Sequence, residues 1–381
     1  MCAYRAPTVK EIAAQMGSFE ILQHVGAGSC GRAYLAKESA GPCAGAKWIL
    51  KEVTLPSDRD VRHKVYREAQ VQSKLHHPYI CWLRNVRVEK MSSCMLLCTN
   101  FCKGGDLKDF LEKLREAGVY LQEPIVLTIM AQLLLAVDHA HSKGIVHRDI
   151  KTENVYIDDD VSRGAIQRVM LGDFGVSRTI EQTGQLSVVG TPLTMAPEVM
   201  HGEIYGKSCD IWSLGCLLVE LCNRKPAFAA NSMEELSMLV QLGEFTPLDK
   251  RYSRSLGLLA KAMLSVQPER RPTANQLLQT PVLAEYTIMA LQNSKLPIDS
   301  DYASIVERVA LKGTGPAQEL HELDVAVEQS LKEQMDRFAP TMKAKLRAAA
   351  DSKAAGVEKS RLGPTVGYTS VDAAPSSQVR A

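Results

Sequence analysis

The sequence predicts an α+β fold of two lobes, a small β-rich first lobe and a larger α-rich second lobe. Two observations carry this. Up to about residue 100 the chain reads mostly as short apolar, strand-like pieces, and after Gly104-Gly105 helical periodicity takes over. A change of texture at one glycine pair marks a junction between separately packed layers. At 381 residues the chain is long enough to close both cores without metals or disulfides.

The elements follow in order. Residues 1–18 read as a short leader, with a helical stretch over 7–16. Strand-like runs come next at 19–25, 33–36, 48–53, 86–89 and 95–100, interrupted by one helical pattern at 59–75. Residues 100–105 form a hinge between a first lobe at 19–99 and a second at 106–283. Helical patterns in the second lobe occupy 107–116, 124–143, 208–222, 233–242, 255–265 and 274–279. Residues 284–381 read as a partly helical tail, with an amphipathic helix at 317–338 that places Leu320, Leu323, Val327 and Leu331 on one side. The basic, alanine-rich run at 341–363 reads as a solvated helix, with docking to an acidic partner as the alternative. Residues 364–381 read as disordered.

Composition excludes several function classes. Hydrophobic residues are 45%, charged residues 23%, and the net charge is +2, so nothing in the balance argues for direct nucleic-acid binding or a membrane surface. Ten cysteines include no C-x-x-C pair, which speaks against a zinc ribbon or a disulfide framework. A reduced compartment fits, and the expected location is cytoplasmic, with cytoskeletal or nuclear association as alternatives. Cys94, Cys98 and Cys102 read as buried thiols on a strand and its exit, because no histidine or further cysteine is spaced to complete a metal site. Arg5, Lys10 and Glu11 stand where a secretory signal would be apolar, and Cys2 breaks the myristoylation pattern. The apolar runs 125–137, broken by Thr128 and Gln132, and 211–221, which contains Glu220, fall short of the roughly 18 residues of a membrane span. No membrane insertion is expected.

Three motifs carry chemistry. Gly26, Gly28 and Gly31 lie in a glycine-rich turn that follows one strand and precedes another. A dinucleotide fingerprint needs a helix after the glycines, so that reading fails. A glycine hairpin that brings backbone N–H groups to an anion fits, as does a plain turn. The second motif is His147-Arg148-Asp149-Ile150-Lys151-Thr152-Glu153-Asn154. The third begins nineteen residues past Asn154 as Asp173-Phe174-Gly175 and ends at Ala196-Pro197-Glu198.

In this order the three resemble the glycine loop, catalytic loop and activation segment of eukaryotic serine/threonine protein kinases. The resemblance covers residues 19–283 and implies a protein-kinase-like two-lobed fold that uses ATP and Mg²⁺ on protein substrates with Ser/Thr hydroxyls. By this resemblance Asp173 and Asn154 hold Mg²⁺, since hard cations prefer oxygen ligands. Asp149 accepts the proton of the attacking hydroxyl, and Lys151 stands beside the transferred phosphoryl group. Lys51 anchors the phosphates and pairs with Glu68. It is preferred to Lys47 because it sits inside its strand, Lys47 only at the start. Thr99 resembles the gatekeeper, Asn100 and Cys102 offer backbone hydrogen bonds to adenine, Asp106 accepts from the ribose, and Val25 and Ala33 roof the base.

The stretches Leu171–Gly175, Glu220–Phe228, Lys103–Leu107 and Ile49–Val53 further resemble NIMA-related kinases. That family carries a phosphorylated serine or threonine three residues before the Gly190-Thr191-Pro192 turn. Ser187 stands there, with Thr183 and Ser177 as rivals, and Arg148 is the basic group expected to receive its phosphate. Thr191 resembles the threonine that bonds Asp149 and the catalytic lysine. Leu193-Thr194 departs from the aromatic pair usual before Met195. Glu198 is expected to pair with Arg271, and Asp210 to brace the catalytic loop. Two alternatives are a pseudokinase scaffold without catalysis and a tail that is the main function, as a binding module carried by the kinase.

Overall fold

A computed structural model describes residues 13, 19–28, 31–41, 43–55, 57–89, 93–159, 166–174, 178–179, 192–203 and 205–294. All belong to one unit, Met1–Gln318. The leader apart from Ala13, and the predicted helix and basic run of the tail, lie outside the described residues.

The first lobe is built on strands β1 (Phe19–Gly28), β2 (Gly31–Glu38), β3 (Lys47–Thr54), β4 (Leu83–Glu89) and β5 (Cys94–Asn100). Among the described residues they form one antiparallel sheet in the order β1-β2-β3-β5-β4. The two-residue alternation of strands sorts its faces. Ala36, Trp48, Leu50, Cys94, Leu96 and Cys98 make a core on one face, against Ala13 and Phe19. On the other, Leu55, Leu83 and Met95 pack with Ala69 of helix α1 (Arg59–Ser73). β4 begins three residues before the predicted position. Leu83-Arg84-Asn85 has no apolar alternation, yet Leu83 pairs with Thr99 across a register shift.

The second lobe comprises α2 (Leu107–Glu116), α3 (Glu123–Ser142), α4 (Pro197–Met200), α5 (Ser208–Asn223), α6 (Met233–Leu242), α7 (Arg254–Met263), α8 (Ala274–Leu278) and α9 (Pro281–Ser294). Short strands β6 (Ile145–Val146) and β9 (Arg178–Thr179) pair, as do β7 (Val155–Ile157) and β8 (Val169–Leu171). α3 and α5 are apolar nearly all round because they fill the lobe's core. By length and composition the 20 residues of α3 are apolar enough to cross a membrane, contrary to the expectation that Thr128 and Gln132 break the run. Both polar groups are satisfied internally. Thr128 Oγ1 donates to Pro124 O at 2.8 Å, and the Gln132 side chain bridges Gln167 O and Val169 N.

α9 carries the packed lobe past residue 283. Its Leu283, Thr287, Ala290 and Leu291 are buried, and Ala290 O accepts from the Tyr79 hydroxyl at 2.6 Å. Glu198 and Arg271 form the expected bidentate pair, at 2.6 and 2.7 Å. Cys94, Cys98 and Cys102 are buried thiols outside any disulfide, in line with their expected place on a strand and its exit.

Candidate active site

The register of β3 selects the lysine. Lys51 lies opposite Ala33 on β2 and Leu97 on β5, so the three side chains share a face. Lys51 Nζ reaches Asp173 Oδ1 at 2.8 Å. Lys47, at the first position of the strand, is exposed and sits 6.0 Å from the Phe101 ring centroid. Glu68 lies on α1, but its side chain, and with it the expected pair with Lys51, is outside the described residues.

The glycines differ in what they permit. Gly28 and Gly31 close the β1–β2 register opposite one another. Gly31 has φ +130°, and a Cβ there would land on the Glu52 carbonyl. Gly26 has open space around it.

Beneath this hairpin lies a cleft of about 760 Å³, lined by the expected Val25, Gly31, Ala33, Lys51, Thr99, Asn100, Cys102, Asp106 and Asp173. Its size suits a small-molecule ligand. Asn100 Oδ1 accepts from Trp82 N at 3.0 Å, so the side chain is committed to the neighbouring segment. Asp106 caps α2 by accepting from Asp109 N at 2.9 Å, and burial pushes its carboxyl above the usual range.

Sequence reasoning missed Ile49, Cys81, Leu97 and Tyr156 in the same wall, beside Phe174 of the Asp173-Phe174-Gly175 motif. Ile49 and Leu97 were legible by counting two residues from Lys51 and Thr99. Cys81 and Tyr156 arrive from distant segments with no local signal. The Tyr156 ring also explains Gly172, where a Cβ would stand 2.7 Å from Tyr156 Cε2.

The catalytic loop is held in an uncommon conformation. Arg148 (φ 75°) and Asp173 (φ 57°) are left-handed, a state that needs outside support in a non-glycine residue. Asp210 supplies it for Arg148. Its Oδ1 accepts from Arg148 N and its Oδ2 from His147 N, both at 2.8 Å, and Oδ2 also meets His141 Nε2 at 2.8 Å. Burial pushes the Asp210 carboxyl up, but these donors prevail and hold it below its usual value. His147 is fixed in turn. Nδ1 accepts from Asp149 N at 3.3 Å, so Nε2 is the nitrogen that donates to Gly172 O at 2.9 Å.

Asp149 is thereby presented with its carboxylate engaged by two donors. Lys151 Nζ stands 2.9 Å from Oδ2. Asn154 Nδ2 donates to Asp149 Oδ2 at 3.1 Å and to Asp149 O at 2.7 Å. The Asn154 amide group thus spends its N–H bonds on Asp149, so the donor atom it could offer a cation is its oxygen. Asn154 O also accepts from Gly172 N at 2.9 Å, which ties the loop to the segment bearing Asp173. An amide oxygen and a carboxylate on tied backbones form a donor set that suits Mg²⁺.

A second hollow of about 200 Å³ opens beside Lys151, walled by Glu153, Leu193, Thr194 and Glu220 among others. Leu193 is exposed, whereas Thr194 is buried, with its carbonyl accepting from Ser213 Oγ at 2.8 Å. Burial, and then the Glu153 charge, push the Glu220 carboxyl up to about 7. Arg148 is buried with its guanidinium 5.1 Å from the Tyr205 ring centroid. Ser187 and Thr191, with Thr183 and Ser177, lie outside the described residues.

Comparison with known proteins agrees with this geometry. The protein kinase domain profile matches residues 19–283. Serine/threonine-protein kinase Nek6 of Oryza sativa subsp. japonica is 33% identical over 272 residues, 71% of this chain and 49% of that protein. Nek1 of Mus musculus is 34% identical over 274 residues, 71% of this chain and 22% of that protein. Nek2 of Homo sapiens is 32% identical over 275 residues, 70% of this chain and 60% of that protein. The matched stretch thus spans about half or less of the first two relatives' own length.

Proposed function

Since the chain belongs to the protein kinase family, with NIMA-related kinases among its relatives, we propose that it transfers the γ-phosphoryl group of Mg-ATP to serine or threonine hydroxyls of proteins. The observation that carries this reading is the Lys51–Asp173 pair in the wall of a nucleotide-sized cleft, with the Asp149–Lys151–Asn154 cluster tied to the Asp173 segment through the Gly172 N–Asn154 O hydrogen bond.

The residues divide the work. The hinge backbone at Asn100 and Cys102 receives the adenine under Val25 and Ala33, beside Thr99, with Asp106 toward the ribose. Lys51 and the backbone around Gly26, Gly28 and Gly31 neutralise and align the phosphates. Asp173 and the Asn154 amide oxygen would hold Mg²⁺, which supplies charge neutralisation on the phosphate oxygens. The Asp149 carboxylate accepts the proton of the incoming hydroxyl as that hydroxyl's oxygen bonds to the γ-phosphorus and the bond to the β-phosphate oxygen breaks, releasing ADP. Lys151 steadies the negative charge gathered between them. Asn154 and His147 keep Asp149 aimed, which removes reorganisation from the barrier.

Regulation belongs to the same reading. A phosphate on Ser187 would pair with Arg148 and order the segment before Thr191. The basic tail at 341–363 is read as a solvated helix, with docking to an acidic protein partner as its alternative, and the location as the cytoplasm. Direct nucleic-acid binding and membrane insertion have no part in this reading.

The test measures two properties on one preparation. Mg-ATP should raise the melting temperature and label a generic basic protein substrate. Thermal stabilisation without label would leave a nucleotide-binding pseudokinase scaffold instead.

A further inference from the structure

Three sulfur atoms that the proposed chemistry does not use meet under the cleft. Cys81, Cys102 and Met170 are buried together, with Tyr156 packed against them. Cys102 Sγ lies 3.8 Å from Met170 Sδ. The Cys81 thiol belongs to the same buried cluster and faces the same cleft. The two thiols lie in the cleft wall.

The segments that carry these sulfurs are pinned by backbone hydrogen bonds. Cys81 N donates to Leu171 O, and Leu171 N to Tyr79 O, both at 2.8 Å. Gly104 N donates to Ile157 O at 2.9 Å and Ile157 N to Gly105 O at 2.8 Å, which fixes the loop bearing Cys102 to β7. β7 pairs with β8, which bears Met170. The sulfur cluster is therefore assembled by the fold before anything binds.

We propose that Cys81, Cys102 and Met170 form a three-sulfur binding site for one monovalent copper ion. Thiolate and thioether are the soft donors that select Cu(I). With metal–sulfur bonds of about 2.3 Å, three sulfurs around one ion stand roughly 4 Å apart, close to the 3.8 Å separation of Cys102 and Met170. A zinc site wants four ligands, and among the described residues no group of three His, Cys, Asp or Glu side chains comes together. On binding, both thiols give up their protons to solvent, the Met170 thioether donates a lone pair, and copper keeps its oxidation state. The neighbouring Cys102, and then burial, push the Cys81 thiol well up. A protonated buried thiol is a poor nucleophile toward peroxide, whereas a soft cation displaces its proton.

The experiment uses the full chain, reduced and anaerobic, against Cu(I) held by bicinchoninate, and reads the loss of the coloured chelate. The wild type should withdraw one equivalent. Cys102→Ser and Met170→Leu should weaken that withdrawal by roughly tenfold or more, since even an outer-shell loss costs that much. Cys43→Ser, a thiol in the loop before β3, should leave it unchanged. Zn(II) should be held less tightly than Cu(I) in a parallel chelator competition. Met170→Leu preserves volume and apolarity, so a normal melting curve for it keeps the test valid if Cys102→Ser folds poorly. Unchanged copper uptake in Met170→Leu, loss of uptake in Cys43→Ser, or tighter binding of Zn(II) would each overturn the site. The readout needs neither nucleotide nor activity, so it stands or falls apart from the kinase reading.

Discussion

Lys51 and Asp173 are 122 residues apart in sequence, and their Nζ and Oδ1 atoms are 2.8 Å apart. Each side chain keeps about 30% of its surface exposed. An ion pair that wet contributes little to folding, so its place is explained by what the cleft holds rather than by stability. Lys51→Met should therefore lower phosphoryl transfer at least about 100-fold, the scale of removing one positioned charge. Its melting temperature should stay near wild type. Lys47→Met should leave transfer within about twofold. Steady-state assays beside thermal melts decide it, and equal losses from both variants would refute the assignment.

Asp210 holds two successive backbone N–H groups of a loop whose Arg148 is left-handed. Asp210→Asn turns one acceptor into a donor that faces another donor. The expected cost is about 1–3 kcal/mol in urea unfolding. Transfer should fall further than stability alone accounts for, because Asp149 follows Arg148 directly. A variant with full activity at full occupancy of the native state would contradict the bracing role.

Gly31→Ala should cost about 1–3 kcal/mol and weaken nucleotide binding, since its Cβ meets the Glu52 carbonyl and its φ is +130°. Gly26→Ala, in open space, should stay within about 0.5 kcal/mol. Melting curves with and without Mg-ATP separate the two.

Glu220 links the hollow beside Lys151 to pH. Its carboxyl is raised from 4.5 to about 7 by burial and the Glu153 charge. The unfolded chain therefore releases this proton first as pH rises. The favourable contribution is complete below about pH 4.5 and lost as pH passes 7. Glu220→Gln should remove that slope and leave the protein more stable than wild type at pH 8, by on the order of 2 kcal/mol. Urea titrations at pH 5 and pH 8 measure it, and parallel pH dependences would refute it.

Much of this was legible in the sequence for identifiable reasons. β5 reads Cys-Met-Leu-Leu-Cys-Thr-Asn, an apolar run buried on both faces, and α6 falls on the predicted 233–242 because Ser232 caps it and Gly243 ends it. The catalytic loop was legible because its chemistry sits within eight consecutive residues. Elements defined by tertiary partners were not. β4 starts early because Leu83 finds Thr99, and α3 runs unbroken because Gln132 finds Gln167 and Val169. Tyr156 and Cys81 line the cleft only through the meeting of distant segments. Their neighbours in sequence give no sign of it.

The central claim is that Asp149, steered by Lys151 and Asn154, drives transfer to a hydroxyl. The direct measurement is phosphoamino-acid analysis of a protein substrate incubated with γ-labelled ATP and Mg²⁺, for wild type and Asp149→Asn at matched nucleotide occupancy. The account predicts phosphoserine and phosphothreonine from wild type and a loss of about 100-fold or more in the variant. Label appearing equally with Asp149→Asn, or none from a wild type that binds Mg-ATP, would contradict it.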